Sequence, residues 1–146
     1  MKKLLSILIA VLSIATSTAQ FQVAQKVKAI EVIWQDTYGW NTLCRQEQND
    51  GVYYYMLILK SSNQFDNKIV INLGGLEKTK NTLSQLINDL FVKGEVYNLV
   101  DDKGEAFVAK CGFGKTYSIY KDGYAGYGGL YIGRVEAMLS ALLQIQ

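Results

Sequence analysis

Two apolar patterns follow one another twice along the chain. Short segments alternate apolar and polar residues, as β-strands do, and after each group of such segments the apolar residues recur at the longer spacing of a helix. Turn sequences such as Asp50-Gly51 separate these segments, and Asp-Gly between two extended segments predicts a β-hairpin. After Gly74-Gly75 the apolar residues recur every three or four positions, as on one face of a helix. The regular strand–helix alternation of a parallel sheet is not found, so the pattern favours hairpins.

The predicted elements follow from these two periods. The strands cover residues 26–35, 40–48, 52–60 and 68–73, and then 95–100, 105–111 and 115–121. One helix covers about residues 76–93 with Gly94 as its C-terminal cap, and a second covers about 131–143 after a glycine-rich loop. The order predicts an α+β fold, a two-layer sandwich in which both helices pack on one face of a mainly antiparallel sheet.

Residues 1–19 have the three-part layout of a secretory signal peptide. Lys2 and Lys3 form a basic start, residues 4–14 are apolar apart from two serines, and small residues occupy positions 17–19. The apolar run is shorter than the about 20 residues of a membrane-spanning helix. We expect a signal peptide over 1–19, a single globular domain over 20–146 and a secreted, periplasmic or cell-envelope location, with no transmembrane segment after cleavage. The alternative is an uncleaved anchor or a buried first helix.

Charge and composition argue against several classes of function. The chain has 15 basic and 13 acidic residues, and loss of Lys2 and Lys3 with the signal peptide leaves thirteen of each. Because no cluster of Lys and Arg remains, nucleic-acid binding lacks its electrostatic basis. The chain has no histidine, which is the usual general base and the commonest metal ligand. We expect no metal, no cofactor and no nucleic-acid partner.

Cys44 and Cys111 are the two cysteines of the chain. In an exported protein an even number of cysteines suggests a disulfide, which would stabilise the fold by about 4 kcal/mol in the chain-entropy model. Cysteine is also a common small residue of hydrophobic cores. The sequence leaves both alternatives open.

The segment AKCGFGKT, residues 109–116, resembles a relaxed phosphate-binding loop, but its context predicts a hairpin. A phosphate loop requires a strand before it and a helix after it, because the helix N-terminus holds the phosphates. Residues 116–121 alternate as a strand instead, and Asp122-Gly123 ends them. We therefore expect no nucleotide to bind and interpret Gly112 and Gly114 as turn residues.

Tyrosines and glycines are concentrated in residues 117–131, which contain five of the ten tyrosines. Tyrosine provides contact area, a hydroxyl group and little rotamer entropy, which suits binding surfaces. The alternative is a packed sheet edge whose tyrosines cover the core, since tyrosine is common in strands. The candidate binding residues are Tyr117, Tyr120, Tyr124, Tyr127 and Trp40.

Acidic residues give little indication of catalysis. Asp101, Asp102 and Glu105 lie in a predicted hairpin loop, where a solvated turn is favoured over a weak calcium site. Glu31 stands in an otherwise apolar strand and would be of interest if buried. Cys44 and Cys111 have no histidine partner that could activate them. We therefore expect no catalytic residues and no enzymatic activity.

The sequence favours an exported, non-catalytic domain that binds a protein or glycan partner in the cell envelope or outside the cell. The Tyr/Gly-rich surface would make the contact. An alternative is a structural or assembly subunit that pairs through a sheet edge or through the C-terminal helix. A small hydrolase is the third hypothesis, which requires a pocket with two nearby acids.

Overall fold

The computed structural model describes residues 28–49, 51–62, 68–90 and 92–145. The predicted signal peptide, residues 1–19, lies outside the described residues, as does the start of the first predicted strand. The elements in chain order are β1 (Ile30–Gln35), β2 (Asn41–Glu47), β3 (Tyr53–Lys60), β4 (Lys68–Gly74), α1 (Leu76–Asn88), β5 (Val96–Val100), β6 (Ala106–Cys111), β7 (Thr116–Lys121), β8 (Gly128–Tyr131) and α2 (Ile132–Leu143).

The strands form two antiparallel four-stranded sheets with the orders β1-β2-β3-β4 and β5-β6-β7-β8. In each sheet, strands that are consecutive in the chain are neighbours in space, and one helix follows the last strand. The predicted α+β fold and the order strands, helix, strands, helix are confirmed. The strands are divided between two sheets, so the described part of the chain consists of two units with the same order of four strands and a helix.

A single hydrophobic core joins both sheets and both helices. The alternation of strand residues turns one face inward, so that Phe107, Ala109 and Cys111 of β6 are buried while their neighbours are exposed. The two helices contact each other and place their apolar faces in the same core. These helical residues are Leu83 and Leu86 of α1 and Ile132, Val135, Met138 and Leu142 of α2.

The end of β3 lies directly against β8, which joins the two sheets. Ser61 forms an antiparallel bridge with Gly128, and the Ser62 amide donates a hydrogen bond to the Tyr127 carbonyl at 2.9 Å. A Cβ atom on Gly128 would lie only 2.6 Å from the Leu59 Cβ. The strands approach this closely because Gly128 has no side chain.

A second junction is formed by the loop between β5 and β6. The Asp101 carboxylate accepts hydrogen bonds from the Asn72 amide at 3.0 Å and from the Asn72 side chain at 2.8 Å. It also accepts bonds from the amides of Lys103 and Glu105, both at 2.9 Å. Asp101 therefore fixes its own loop and ties that loop to β4.

The last strand, β8, was not predicted, because its sequence contains two glycines and resembles a loop. It forms because its backbone pairs with β7 from Thr116 to Ile119 and because Leu130 is completely buried. The tertiary contacts of the segment thus outweigh the weak strand propensity of glycine.

Helix α1 ends at Asn88, several residues before the predicted end at Lys93 and Gly94. The Gly94 amide donates to the Cys111 carbonyl and the Cys111 amide donates to the Glu95 carbonyl, both at 2.9 Å. The backbone at positions 94 and 95 therefore pairs with β6 and cannot continue the helix. Gly94 has a positive φ of 86°, but it serves a turn before β5 rather than the helix cap.

Neither α1 nor α2, the helices of the described residues, has the length and apolar character needed to cross a membrane.

Cys44 and Cys111 are both buried free thiols, so the disulfide considered from the sequence is not formed in the structure. The two residues belong to different sheets. The Cys44 Sγ lies 3.6 Å from the Met56 carbonyl oxygen and the Cys111 Sγ lies 3.7 Å from the Leu90 carbonyl oxygen. Both cysteines are therefore small buried residues of the core region. Burial raises the pKa of the Cys44 thiol.

We predict that Gly128→Ala destabilises the protein by about 1–3 kcal/mol, because the added methyl group overlaps Leu59 and forces β8 away from β3. Urea denaturation followed by circular dichroism measures the loss. The matched control is Gly133→Ala on the exposed side of α2, where a Cβ meets no atom within 4 Å. Equal stability of the two variants would contradict the close β3–β8 contact.

We predict that Asp101→Asn costs about 1–3 kcal/mol of unfolding free energy at about pH 7. Burial of the Asp101 carboxylate opposes its charge, but the hydrogen bonds from Asn72, Glu105 and Lys103 outweigh this and lower its pKa. The stabilisation is therefore present above the unfolded-state pKa and is lost as the pH falls through the lowered folded-state pKa. The difference from wild type should shrink toward about pH 3.

Denaturation curves over this pH range for wild type, Asp101→Asn and the exposed control Asp122→Asn check this prediction. A constant difference between wild type and Asp101→Asn at every pH would contradict it.

Candidate functional site

A cleft of about 270 Å³ opens where the two sheets meet, and most of its large side chains are aromatic. The turn between β1 and β2, the end of β3, strand β8 and the start of α2 all contribute to it. We call it the aromatic cleft; its lining residues are Tyr38, Trp40, Lys60, Ser62, Tyr127, Gly129, Tyr131 and Arg134.

Alternating residues at β8 form one wall of the aromatic cleft. Tyr127, Gly129 and Tyr131 line the cleft, whereas Leu130 points into the core and is fully buried. A Cβ atom on Gly129 would meet no atom within 4 Å. The missing side chain at position 129 therefore leaves an open space between two tyrosine rings.

A buried polar network holds the base of the cleft. Asn41 is 1% exposed; its side chain donates to the Gly129 carbonyl at 2.8 Å and accepts from the Arg134 guanidinium at 2.8 Å. The same guanidinium forms an ion pair with Asp36 at 2.9 Å, and the Asp36 side chain is only 8% exposed. Asn41 thus connects β2 to β8 and α2, and these bonds fix where the cleft walls stand.

Trp40 is held in the cleft through its backbone. Its amide donates to the Asp36 carboxylate at 2.7 Å, and its carbonyl accepts from the Lys60 amide at 2.9 Å. The Trp40 residue remains 37% exposed. The Lys60 ammonium group lies 3.5 Å from the Tyr38 carbonyl oxygen, at the rim. The turn between β1 and β2 therefore contributes the indole to the cleft, and the end of β3 contributes the cation.

The structure places four of the five predicted binding residues at the surface. Tyr120, Tyr124 and Tyr127 are each between 38% and 40% exposed, and Trp40 is exposed to a similar degree. Trp40 and Tyr127 line the cleft together, although 87 positions separate them in the numbering of the chain. The expected use of Tyr and Trp as surface residues is thus consistent with their positions.

Tyr117 is the exception among the predicted binding residues, because it is completely buried. Its hydroxyl donates to the Leu86 carbonyl at 2.5 Å and joins β7 to α1. Burial raises the pKa of this hydroxyl. The register of β7 turns Tyr117 and Ile119 toward the core, so Tyr117 is a structural residue and not part of the contact surface.

Tyr120 and Tyr124 lie beside the cleft rather than in it. The ring centroids of Tyr120 and Tyr127 are 5.6 Å apart, so the aromatic surface continues from the cleft onto the outer face of the second sheet. There an open groove is lined by Val100, Val108, Tyr120 and Tyr124 among other residues. The Lys121 ammonium lies 5.2 Å from the Tyr124 ring.

Five cleft side chains were not among the candidate residues: Tyr38, Lys60, Ser62, Tyr131 and Arg134. Tyr131 follows the same tyrosine spacing as its neighbours and could have been included on that signal. Tyr38 lies in the predicted turn before Trp40, but a turn does not show what it faces. Lys60 and Arg134 reach the cleft only through the tertiary fold and carry no local signal.

The charge of the aromatic cleft is positive. Lys60 and Arg134 are among the lining residues, and none of the described lining residues is a carboxylate. The Asp36 carboxylate lies beneath the lining, bonded to Arg134 and to the Trp40 amide. The described lining residues can therefore offer aromatic faces, hydroxyl groups and a cation to a ligand.

The segment 109–116 forms the end of β6, a turn and the start of β7, which is a β-hairpin. Gly114 and Lys115 have positive φ values of 66° and 53° in the turn. No helix follows Thr116, so the geometry that a phosphate loop requires is missing at this segment.

The acidic residues considered from the sequence are engaged in structural contacts. Asp102 accepts from the Tyr54 hydroxyl at 2.9 Å and forms an ion pair with Lys78, and these contacts lower its pKa. Glu31 pairs with Arg45 at 2.8 Å, and its side chain is 55% exposed, so it is not a buried acid. Within the described residues, no group of three or more Cys, Asp or Glu could hold a metal ion.

Comparison with protein-family models, with curated protein sequences and with solved structures finds no match for this chain. The function is therefore inferred from the site itself.

We predict that Asn41→Ala lowers the free energy of unfolding by about 1–3 kcal/mol, because the Gly129 carbonyl loses its side-chain partner and the Arg134 guanidinium loses one of its hydrogen bonds. Near-ultraviolet circular dichroism should also change, since the rings around the cleft lose their fixed positions. Chemical denaturation measures the first effect. The control Asn98→Ala lies on an exposed strand position and should stay within about 0.5 kcal/mol of wild type. The network would be contradicted if both variants matched wild type.

Proposed function

We propose that this chain is an exported, non-catalytic domain that binds a partner in the cell envelope or outside the cell through the aromatic cleft. The partner is a protein or a glycan. The observation that carries the proposal is the open space at Gly129, which lies between two exposed tyrosines in a cleft that Trp40 also lines. The signal-peptide pattern of residues 1–19 supports the location.

The geometry supports binding because the cleft is preorganised. Strand pairing fixes Tyr131 on β8, and the Ser62 amide holds the Tyr127 carbonyl just before this strand. The Asn41 network fixes the base between the two tyrosines. A partner would therefore meet rings whose positions are already set, which reduces the entropy cost of association. Exposed aromatic side chains grouped around a concave site are typical of recognition surfaces.

The composition of the cleft favours binding over hydrolysis. A small hydrolase requires two convergent carboxylates or an activated nucleophile. The lining residues that the structure describes include neither carboxylates nor cysteines. This supports a binding role for the cleft.

An assembly subunit is the second candidate function, and β1 and β5 support it. Each of these strands ends the order of its sheet. Strands in that position can pair with another chain. The C-terminal helix gives less support than the sequence suggested, because its apolar face is occupied by the core. A dimer mass that does not change with concentration, measured by light scattering, would favour assembly.

We predict that Gly129→Leu abolishes partner binding without unfolding the domain, because the new side chain fills the cleft and meets no protein atom at its Cβ. Immobilised wild-type protein is exposed to envelope extract and to a glycan array, and bound material is compared with that of the variant. We expect a loss of at least about tenfold, which corresponds to about 1.4 kcal/mol.

The matched control is Gly133→Leu, which adds the same side chain to an exposed position of α2 outside the lining. Thermal denaturation confirms that both variants fold. Equal recovery of partners by folded Gly129→Leu and by wild type would refute the cleft as the binding site.

A further inference from the structure

We infer that the aromatic cleft binds a sugar ring that carries a carboxylate, as part of an acidic oligosaccharide. This inference rests on the proposed function and specifies its ligand. Size, ring faces, charge and backbone pairing at the cleft each contribute one part of the argument.

The size of the cleft fits one ring of a ligand rather than a large compact molecule. Its volume of about 270 Å³ lies just below the range of typical small-molecule pockets, which begins at about 300 Å³. The gap that Gly129 leaves has a tyrosine on either side. A single flat or chair-shaped ring is the unit that such a gap accommodates.

The ring faces suit a sugar. Trp40, Tyr127 and Tyr131 are 37%, 39% and 47% exposed, so each retains surface that a ligand can cover. The C–H groups on one face of a pyranose form an apolar patch that packs on an aromatic ring, while its hydroxyl groups remain at the edge for hydrogen bonds. Tyrosine hydroxyls at the same site can exchange hydrogen bonds with these edges.

The charge of the cleft selects an anionic ligand. Lys60 forms no ion pair with any described residue, although its ammonium group lies at the rim of the cleft. Arg134 is a second cation of the lining, but its charge is balanced by the ion pair with Asp36, so Lys60 supplies the net positive charge. A cationic ligand would be repelled here although the aromatic rings alone would attract it, because Lys60 is a cation and no described lining residue is an acid. A carboxylate on the sugar would pair with Lys60.

The backbone of the site argues against a peptide in extended conformation. Peptides commonly bind by adding a strand to a free sheet edge. At the cleft, Gly129 of β8 pairs with Ser118 of β7 on one side, and its carbonyl accepts from Asn41. The backbone at the floor of the cleft therefore has these groups already bonded, and recognition depends on side chains.

The neighbouring aromatic surface indicates a ligand longer than one unit. The Tyr120 ring lies 5.6 Å from the Tyr127 ring and faces the open groove with Tyr124. A chain whose charged unit occupies the cleft can extend across Tyr127 onto this groove. Each further ring would add aromatic contact on this surface.

The test is isothermal titration calorimetry of the purified protein with three trisaccharides and one peptide. The sugars are α-1,4-linked trigalacturonate, its methyl ester and the matching neutral galactose trimer; the peptide is hexaglutamate. We expect trigalacturonate to bind at least about tenfold more tightly than the ester or the neutral trimer, and more tightly than the peptide. Its affinity should fall as salt increases.

Two variants test separately whether binding needs the charge of Lys60 and the open space at Gly129. Lys60→Gln should weaken trigalacturonate binding about three- to tenfold and reduce its salt dependence, since one partly exposed charge contact is lost. The matched control Lys110→Gln removes a lysine from the outer face of β6, outside the lining, and should bind as wild type does. Gly129→Leu should abolish binding, whereas Gly133→Leu should not.

The outcomes distinguish this inference from the function on which it rests. Equal affinity for the charged and neutral trimers would overturn the inference that the ligand carries a carboxylate. Tighter binding of hexaglutamate would overturn the inference that the ligand is a sugar. In both cases, loss of binding in Gly129→Leu would still identify the cleft as the binding site. Failure of all four ligands to bind would also overturn the acidic sugar. The proposed function would then be refuted only if Gly129→Leu also recovered the same partners as wild type from envelope extract and on the glycan array.

Discussion

The close contact between Gly128 and Leu59 is the constraint on which the rest of the structure depends. A Cβ atom at position 128 would lie 2.6 Å from that of Leu59, so only glycine lets β8 lie against the end of β3. This contact joins two separate meanders around one core. It also sets the register in which Leu130 enters the core while Tyr127, Gly129 and Tyr131 face outward. The two adjacent glycines therefore have different roles: one permits packing, and the other leaves the cleft open.

The Asn41 network makes the position of this cleft precise. Asn41 reaches both β8 and α2, and Asp36 pairs with the same arginine while it holds the Trp40 amide. Polar groups buried in this way stabilise a single arrangement, because moving any one of them leaves another without its partner. The cleft is thus built from the contact region of the two sheets and not from a flexible loop.

Much of the fold could be predicted from the sequence, since it depends on local patterns. Alternation located seven of the eight strands, and the helical repeat located both helices. The eighth strand was missed because Gly128 and Gly129 suggest a loop until Leu59 is known to lie beneath them. The end of α1 was placed too late because the pairing of residues 94 and 95 with β6 is a long-range contact.

The candidate site was only partly predictable, for the same reason. Composition pointed to the tyrosines of residues 117–131 and to Trp40, but it could not tell buried Tyr117 from exposed Tyr120 without the register of β7. Arg134 and Lys60 come to the cleft through the tertiary fold.

The most direct test of the account is a titration with trigalacturonate followed by two-dimensional NMR. We expect the largest chemical-shift changes at the Trp40 indole and the Gly129 amide, with the Trp34 indole unchanged. Changes confined to Trp34 or to the loop at Asp101, or no changes at all, would contradict the account.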